Sequence, residues 1–158
     1  MAQLQSISPC LWFNGQAEEA ARFYAQVFPD SQVLEIVRWP DIGMAPPGSV
    51  LTVRFQLAGQ EFVALNGGPQ FSFNEAVSLS IRCETQAEVD HFWTRLGAGG
   101  SLSQCGWLKD RYGLSWQVVP SALMDLLASP DGARAARVMQ AMMGMGKLEI
   151  APLLKAAG

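Results

Sequence analysis

Apolar and polar positions alternate or recur at helical spacing along most of this chain, and the two periods take turns. Ile7–Phe13 reads as a strand, broken by Asn14–Gly15. Ala17–Phe28 then carries Ala17, Ala20, Ala21, Tyr24, Val27 and Phe28 on one helical stripe, stopped by Pro29–Asp30. Gln32–Trp39 is the next expected strand, and Asp41–Ser49 is a loop by its Gly and Pro content. In Val50–Leu57, the residues Val50, Thr52, Arg54 and Gln56 oppose Leu51, Val53, Phe55 and Leu57. Ala58–Gln60 turns the chain, and Glu61–Asn66 returns as a hairpin partner. An irregular, aromatic-bearing loop follows at Asn66–Ala76.

The same order then starts again. Val77–Cys83 reads as a strand. Thr85–Gln86–Ala87–Glu88 is a capping box, whose hydroxyl and carboxylate satisfy free N–H groups at a helix start. Val89, Phe92, Trp93 and Leu96 follow at helical spacing, and Gly97 closes the helix. Strands are expected near Ser101–Gln104, Trp107–Lys109 and Leu114–Val119, with a turn at Asp110–Gly113. In the last strand Trp116 and Val118 share one face, and Ser115, Gln117 and Val119 the other. After Pro120 the texture becomes helical, at Ala122–Ala128, Asp131–Met143 and Leu148–Ala156. Element order, rather than residue identity, carries the repeat. The expected fold is α+β: two βαβββ modules (1–76 and 77–120) forming a cupped mixed sheet, then a helical C-terminal extension (121–158).

Composition removes several function classes. Nearly half of the 158 residues are apolar, so the chain can build a real core. The net charge is −3 and the 11 basic residues are scattered, so no nucleic acid partner is expected. No apolar run spans a bilayer, and the N-terminus lacks a signal-peptide pattern. The three cysteines, Cys10, Cys83 and Cys105, have no CxxC spacing, which argues against a disulfide framework or zinc knuckle. The expectation is a reduced, cytoplasmic protein. The single histidine, His91, sits in the second helix beside Phe92, where a structural or surface role is expected. Four of the seven methionines lie in Val138–Gly146, as packing filler.

Three segments, "CLWFNGQAEEAARFYAQVFPDS", "FNEAVSLSIRCETQAEVDHFWTRL" and "CGWLKDRYGLSWQVVP", together resemble the PhnB-like branch of the vicinal-oxygen-chelate superfamily (the glyoxalase, bleomycin-resistance and extradiol-dioxygenase group). The tail from Leu123 to Leu153 resembles that branch's C-terminal extension. The resemblance implies paired βαβββ modules, an open cupped sheet and a homodimer. Members of the branch often carry the label 3-demethylubiquinone-9 3-methyltransferase. A usual S-adenosylmethionine domain opens a helix with a Gly-rich turn after a parallel strand. Here the Gly-rich turn Gly97–Ser101 follows a helix instead.

Metal-dependent members of the superfamily place His or Glu ligands on the first and last strands of each module. By resemblance those positions fall at Pro9 or Cys10, at Ser78, at Gln117, and near the end of Glu61–Asn66, where Glu61 and Asn66 are the polar choices. Proline cannot ligate, serine is a poor ligand and glutamine offers one neutral oxygen. The expectation is therefore no metal and no cofactor. What remains is a small-molecule pocket of Cys10, Trp12, Asn66, Phe71, Phe73, Ser78, Cys105, Trp107, Lys109 and Gln117. Lys109–Asp110 read as solvated turn charges, with Lys109 alternatively an anion contact at the pocket rim. Gln117 is either a group facing the cup or a core amide bonded to backbone, and no residue is assigned catalysis. Two function classes stay open, metal-free binding of a small molecule and a divergent isomerase, lyase or dioxygenase, with the methyltransferase of the branch's label as the remaining alternative.

Overall fold

A computed structural model describes residues 6–158. The chain divides into two units, one ending at Ser72 and the other running from Phe73 to Gly158. The helical extension belongs to the second unit rather than forming a body of its own.

The first unit contains β1 (Cys10–Phe13), α1 (Ala17–Val27), β2 (Gln32–Arg38), β3 (Val50–Leu57) and β4 (Gln60–Asn66). Its sheet order is β1-β4-β3-β2, with β1 parallel to β4 and the other pairs antiparallel. The ladder begins later than Ile7 because Pro9 offers only a carbonyl, which accepts from the Val63 N–H at 3.0 Å. One face of the sheet is apolar. Leu11, Phe13, Val53, Phe55, Phe62 and Ala64 are buried there, together with Ala17, Ala20, Ala21, Tyr24 and Val27 of α1. Each large side chain so buried contributes about 1.5–3 kcal/mol of hydrophobic stabilisation. Phe55 stacks on Phe62 with ring centroids 5.5 Å apart. The opposite face is mixed, with Thr52, Arg54 and Glu61 beside Trp12, Val63 and Leu65. Arg54 pairs with Glu61 at 3.1 Å and with Glu35 at 3.4 Å across neighbouring strands.

The second unit repeats the plan with β5 (Ser78–Cys83), α2 (Gln86–Gly97), β6 (Ser101–Leu102), β7 (Trp107–Lys109) and β8 (Ser115–Pro120). The sheet order is β5-β8-β7-β6, the same as in the first unit with the same parallel pair. The two βαβββ modules are therefore the repeat that element order predicts. The capping box forms as expected. Thr85 Oγ1 accepts from the Glu88 N–H at 3.2 Å, and Glu88 Oε2 accepts from the Thr85 N–H at 3.3 Å. Helix α2 lies against β5, β7 and β8. It buries Val89, Phe92, Trp93 and Leu96 on the face that carries Ile81, Cys83, Leu108, Trp116 and Val118.

Strand β6 is shorter than the pattern predicts. The Ser103 N–H donates to the Trp107 carbonyl and the Trp107 N–H to the Gln104 carbonyl, which closes a tight loop early. At its tip Cys105 sits at φ 58, a left-handed conformation that costs a non-glycine residue. The extension holds that tip. It comprises α3 (Ser121–Leu127), α4 (Gly132–Met143) and α5 (Ile150–Ala157) around buried Leu123, Leu126, Val138, Leu148 and Leu153. The N–H groups of Cys105 and Gly106 donate to the carbonyls of Met145 and Gly146, each at 2.8 Å. Gln86 Nε2 donates to the Leu148 carbonyl at 3.1 Å, and its Oε1 accepts from the Ile150 N–H at 2.8 Å. Lys147 pairs with Asp90 at 2.7 Å. Met142 and Met145 pack against the extension's core, as expected of gap-filling methionines.

Candidate functional site

The turn after β7 is organised by a carboxylate that the sequence reading left in solvent. Asp110 is only 2% exposed. Its Oδ1 accepts from the N–H of Tyr112 at 2.8 Å and of Leu114 at 3.1 Å. Its Oδ2 accepts from the Trp116 indole N–H at 2.8 Å. The expectation of solvated charges at Lys109–Asp110 therefore fails for Asp110. An Asp-x-x-Gly turn running into an aromatic strand is the signal that would have found it. The close approach of Gly100 completes the corner: a Cβ there would lie 2.0 Å from the Lys109 carbonyl oxygen, inside any allowed contact.

This turn fixes the register that pairs Lys109 with Ser115, and Ser101 with Lys109, across three strands. Those residues line a cavity of about 320 Å³ together with Glu75, Leu102, Ser103, Trp107 and Leu108. Lys109 Nζ meets the Glu75 carboxylate at the mouth, with 40% and 62% of the two side chains exposed. Lys109 holds the Glu75 carboxyl below its ordinary value, first by that hydrogen bond. Ser115 is 1% exposed, and its Oγ has no hydrogen-bond partner. A buried hydroxyl without a partner costs about 1–3 kcal/mol, so its retention facing a cavity asks for a reason.

Of the ten residues expected in a pocket, the structure brings Trp107 and Lys109 to this cavity. Ser78 and Gln117 lie on the same sheet face and bond to each other, Gln117 Nε2 donating to Ser78 Oγ at 2.9 Å. The mid-strand amide thus bonds to a side-chain hydroxyl rather than to backbone. Cys105 turns its Sγ to the Met142 carbonyl, 3.7 Å away. In the first unit, Trp12 donates its indole N–H to the Gly68 carbonyl at 2.9 Å and meets Phe71 edge-on at 4.9 Å. Gly67 must lack a side chain there, since a Cβ would sit 2.3 Å from the Trp12 ring. Asn66 caps α1: its Oδ1 accepts from the Ala17 N–H at 2.9 Å while its Nδ2 donates to the Val50 carbonyl at 3.1 Å. Phe73 is half-buried at the start of the second unit. Cys10 is exposed, yet desolvation around its thiol raises the pKa, which keeps it a poor nucleophile.

The positions that resemblance assigns to a metal do not fit one. Ser78 and Gln117 offer neutral atoms already bonded to each other. Both ends of the Asn66 amide are engaged by backbone, and Glu61 is paired with Arg54. Among the described residues, no three His, Cys, Asp or Glu side chains gather as a divalent ion requires. Also among the described residues, no helix is long and apolar enough to cross a membrane.

The family profile described as 3-demethylubiquinone-9 3-methyltransferase matches residues 5–119. A Bacillus cereus PhnB protein that carries the same methyltransferase designation is 35% identical, with a TM-score of 0.69, and covers 74% of this chain and 100% of its own. A Pseudomonas aeruginosa protein is 22% identical with a TM-score of 0.62, covering 75% and 98% of the two chains. A glyoxylase/bleomycin resistance protein/dioxygenase domain from Frankia is 18% identical with a TM-score of 0.50, covering 75% and 93%, and shares the fold. No protein of curated function matches the chain. The profile match ends before α3, so the extension stands outside it.

Proposed function

This chain belongs to the 3-demethylubiquinone-9 3-methyltransferase-like family, the PhnB-like branch of the glyoxalase/bleomycin-resistance superfamily, and from that premise we propose that it binds a small organic molecule without a resident metal ion. The binding site is the cavity of the second unit. One observation carries this reading: an unpartnered, buried Ser115 hydroxyl stands on a cavity that also has an aromatic wall, Trp107, and one cation, Lys109. Five of the eight lining residues are polar or charged, which suits a polar small molecule, and about 320 Å³ lies at the lower end of the usual range of roughly 300–1,000 Å³ for such sites. The donor inventory of the family's metal positions supports a metal-free site.

The family's methyltransferase designation gains no support from the chain's topology. Each sheet holds a single parallel pair, where a usual S-adenosylmethionine domain alternates strands and helices around a parallel sheet. The reading also includes a homodimer, which the family resemblance implies.

The test is a fragment screen by NMR on the full chain, watching the Trp107 indole resonance. Fragments that shift it, and that lose affinity in Trp107→Ala, support the reading. A screen with no binders at this cavity overturns it. Native mass spectrometry of the purified protein reports subunit number, and a stoichiometric divalent ion there overturns the metal-free assignment.

A further inference from the structure

The cavity's charges are not symmetric in what they are tied to. Lys109 belongs to β7, where both neighbouring strands and the Asp110 turn fix its backbone. Glu75 belongs to a short irregular turn between Phe73 and Val77, held locally by the Ala76 N–H donating to Asn74 Oδ1. Among the lining residues Lys109 is the one cation and Glu75 the one anion. Removing Glu75 from the mouth would leave a wall of serines and a tryptophan with a single positive charge.

We propose that Glu75 is a built-in stand-in for the ligand's own acidic group, and that the site takes a small organic carboxylate bearing a second hydrogen-bonding group. The incoming carboxylate exchanges with Glu75 on Lys109 Nζ, while the ligand's other polar group reaches the orphan Ser115 hydroxyl. This rests on the small-molecule reading above and names the class of molecule it serves. Three features support it. An exposed ion pair contributes little, so exchanging one carboxylate for another on Lys109 costs little. The Ser115 hydroxyl can donate and accept, so it complements a ligand hydroxyl or carbonyl. Trp107 offers a flat apolar wall for the ligand's carbon frame.

The stand-in has a measurable consequence. While Glu75 occupies Lys109 the site is closed to anions, and the apparent affinity falls by the fraction of time it is free. An exposed pair formed about four-fifths of the time makes removal of the Glu75 charge tighten carboxylate binding about fivefold.

The experiment titrates 2-hydroxybenzoate and its neutral amide, 2-hydroxybenzamide, into the ¹⁵N-labelled full chain and its variants, reading backbone and indole shifts. The expected result is preference for the carboxylate, about fivefold tightening in Glu75→Gln, loss of the preference in Lys109→Met, and weakening of both probes in Ser115→Ala. Unchanged amide dispersion confirms that each variant is folded. Equal binding of the two probes to the wild type and to Glu75→Gln overturns the carboxylate assignment, yet leaves the small-molecule reading standing. Binding of neither probe to either protein, when other fragments occupy the cavity, overturns it equally. Carboxylate preference with no tightening in Glu75→Gln overturns the stand-in role. A cavity that takes no fragment at all sinks both readings together.

Discussion

Replacing Asp110 by asparagine changes one oxygen into an NH₂ group and almost nothing else in shape. Three of the donors around the side chain are fixed in place. The N–H groups of Tyr112 and Leu114 converge on Oδ1, at 2.8 and 3.1 Å, and the Trp116 indole points at Oδ2 from 2.8 Å. The amide keeps one oxygen, which is best used on the two backbone donors. Its NH₂ group then faces the indole N–H, donor against donor. Trp116 is 2% exposed, so the indole cannot turn to water instead. Leaving a buried donor unsatisfied costs about 1–3 kcal/mol, and the repulsive contact brings the expected loss to about 2–4 kcal/mol. With a urea m-value of about 2 kcal/mol/M, mid-range for small proteins, the midpoint falls by about 1–2 M. The assay is urea unfolding followed by far-UV circular dichroism in a cycle with Trp116→Phe. Removing the indole N–H should relieve most of the asparagine's penalty, giving a coupling of about 2 kcal/mol. A loss below about 0.5 kcal/mol for Asp110→Asn, or an equal loss in both backgrounds, would refute the assignment. Because this turn sets Lys109 opposite Ser115, its loosening should also broaden the resonances of the cavity wall.

Gln86→Ala removes both of that residue's bonds to the extension, and amides of α5 should then exchange with solvent about tenfold faster while those of α1 stay unchanged; equal protection in mutant and wild type would exclude Gln86 as an anchor of the extension. Cys83 gives a pH prediction. Burial first, then Glu88 and Glu84, pushes its thiol up from 9.0 to about 12. A raised folded pKa means that its contribution is intact below pH 9 and is lost as the pH climbs towards 12. Unfolding midpoints measured at pH 8 and 10.5 should therefore drop further for the wild type than for Cys83→Val, and parallel curves would refute it.

The two βαβββ modules, the capping box at Thr85 and the helical texture after Pro120 are legible in the chain before it folds. These are written in local periods and local donor–acceptor spacings, which a stretch of ten residues already contains. The sequence also offered Trp107 and Lys109 as pocket candidates, the tryptophan from an expected cup strand and the lysine as an alternative to a solvated turn charge. Which polar groups are used up and which stay available is set by packing between distant segments. Asn66 is spent on Ala17, 49 residues away, and Gln117 on Ser78, 39 away. Asp110 is buried because a distant helix covers the sheet face to which Trp116 belongs. Ser115 is orphaned, and the irregular turn before β5 brings Glu75 onto Lys109; neighbours in the chain decide neither. A polar side chain's role depends on the partner that packing brings within about 3 Å, and no local pattern encodes that distance.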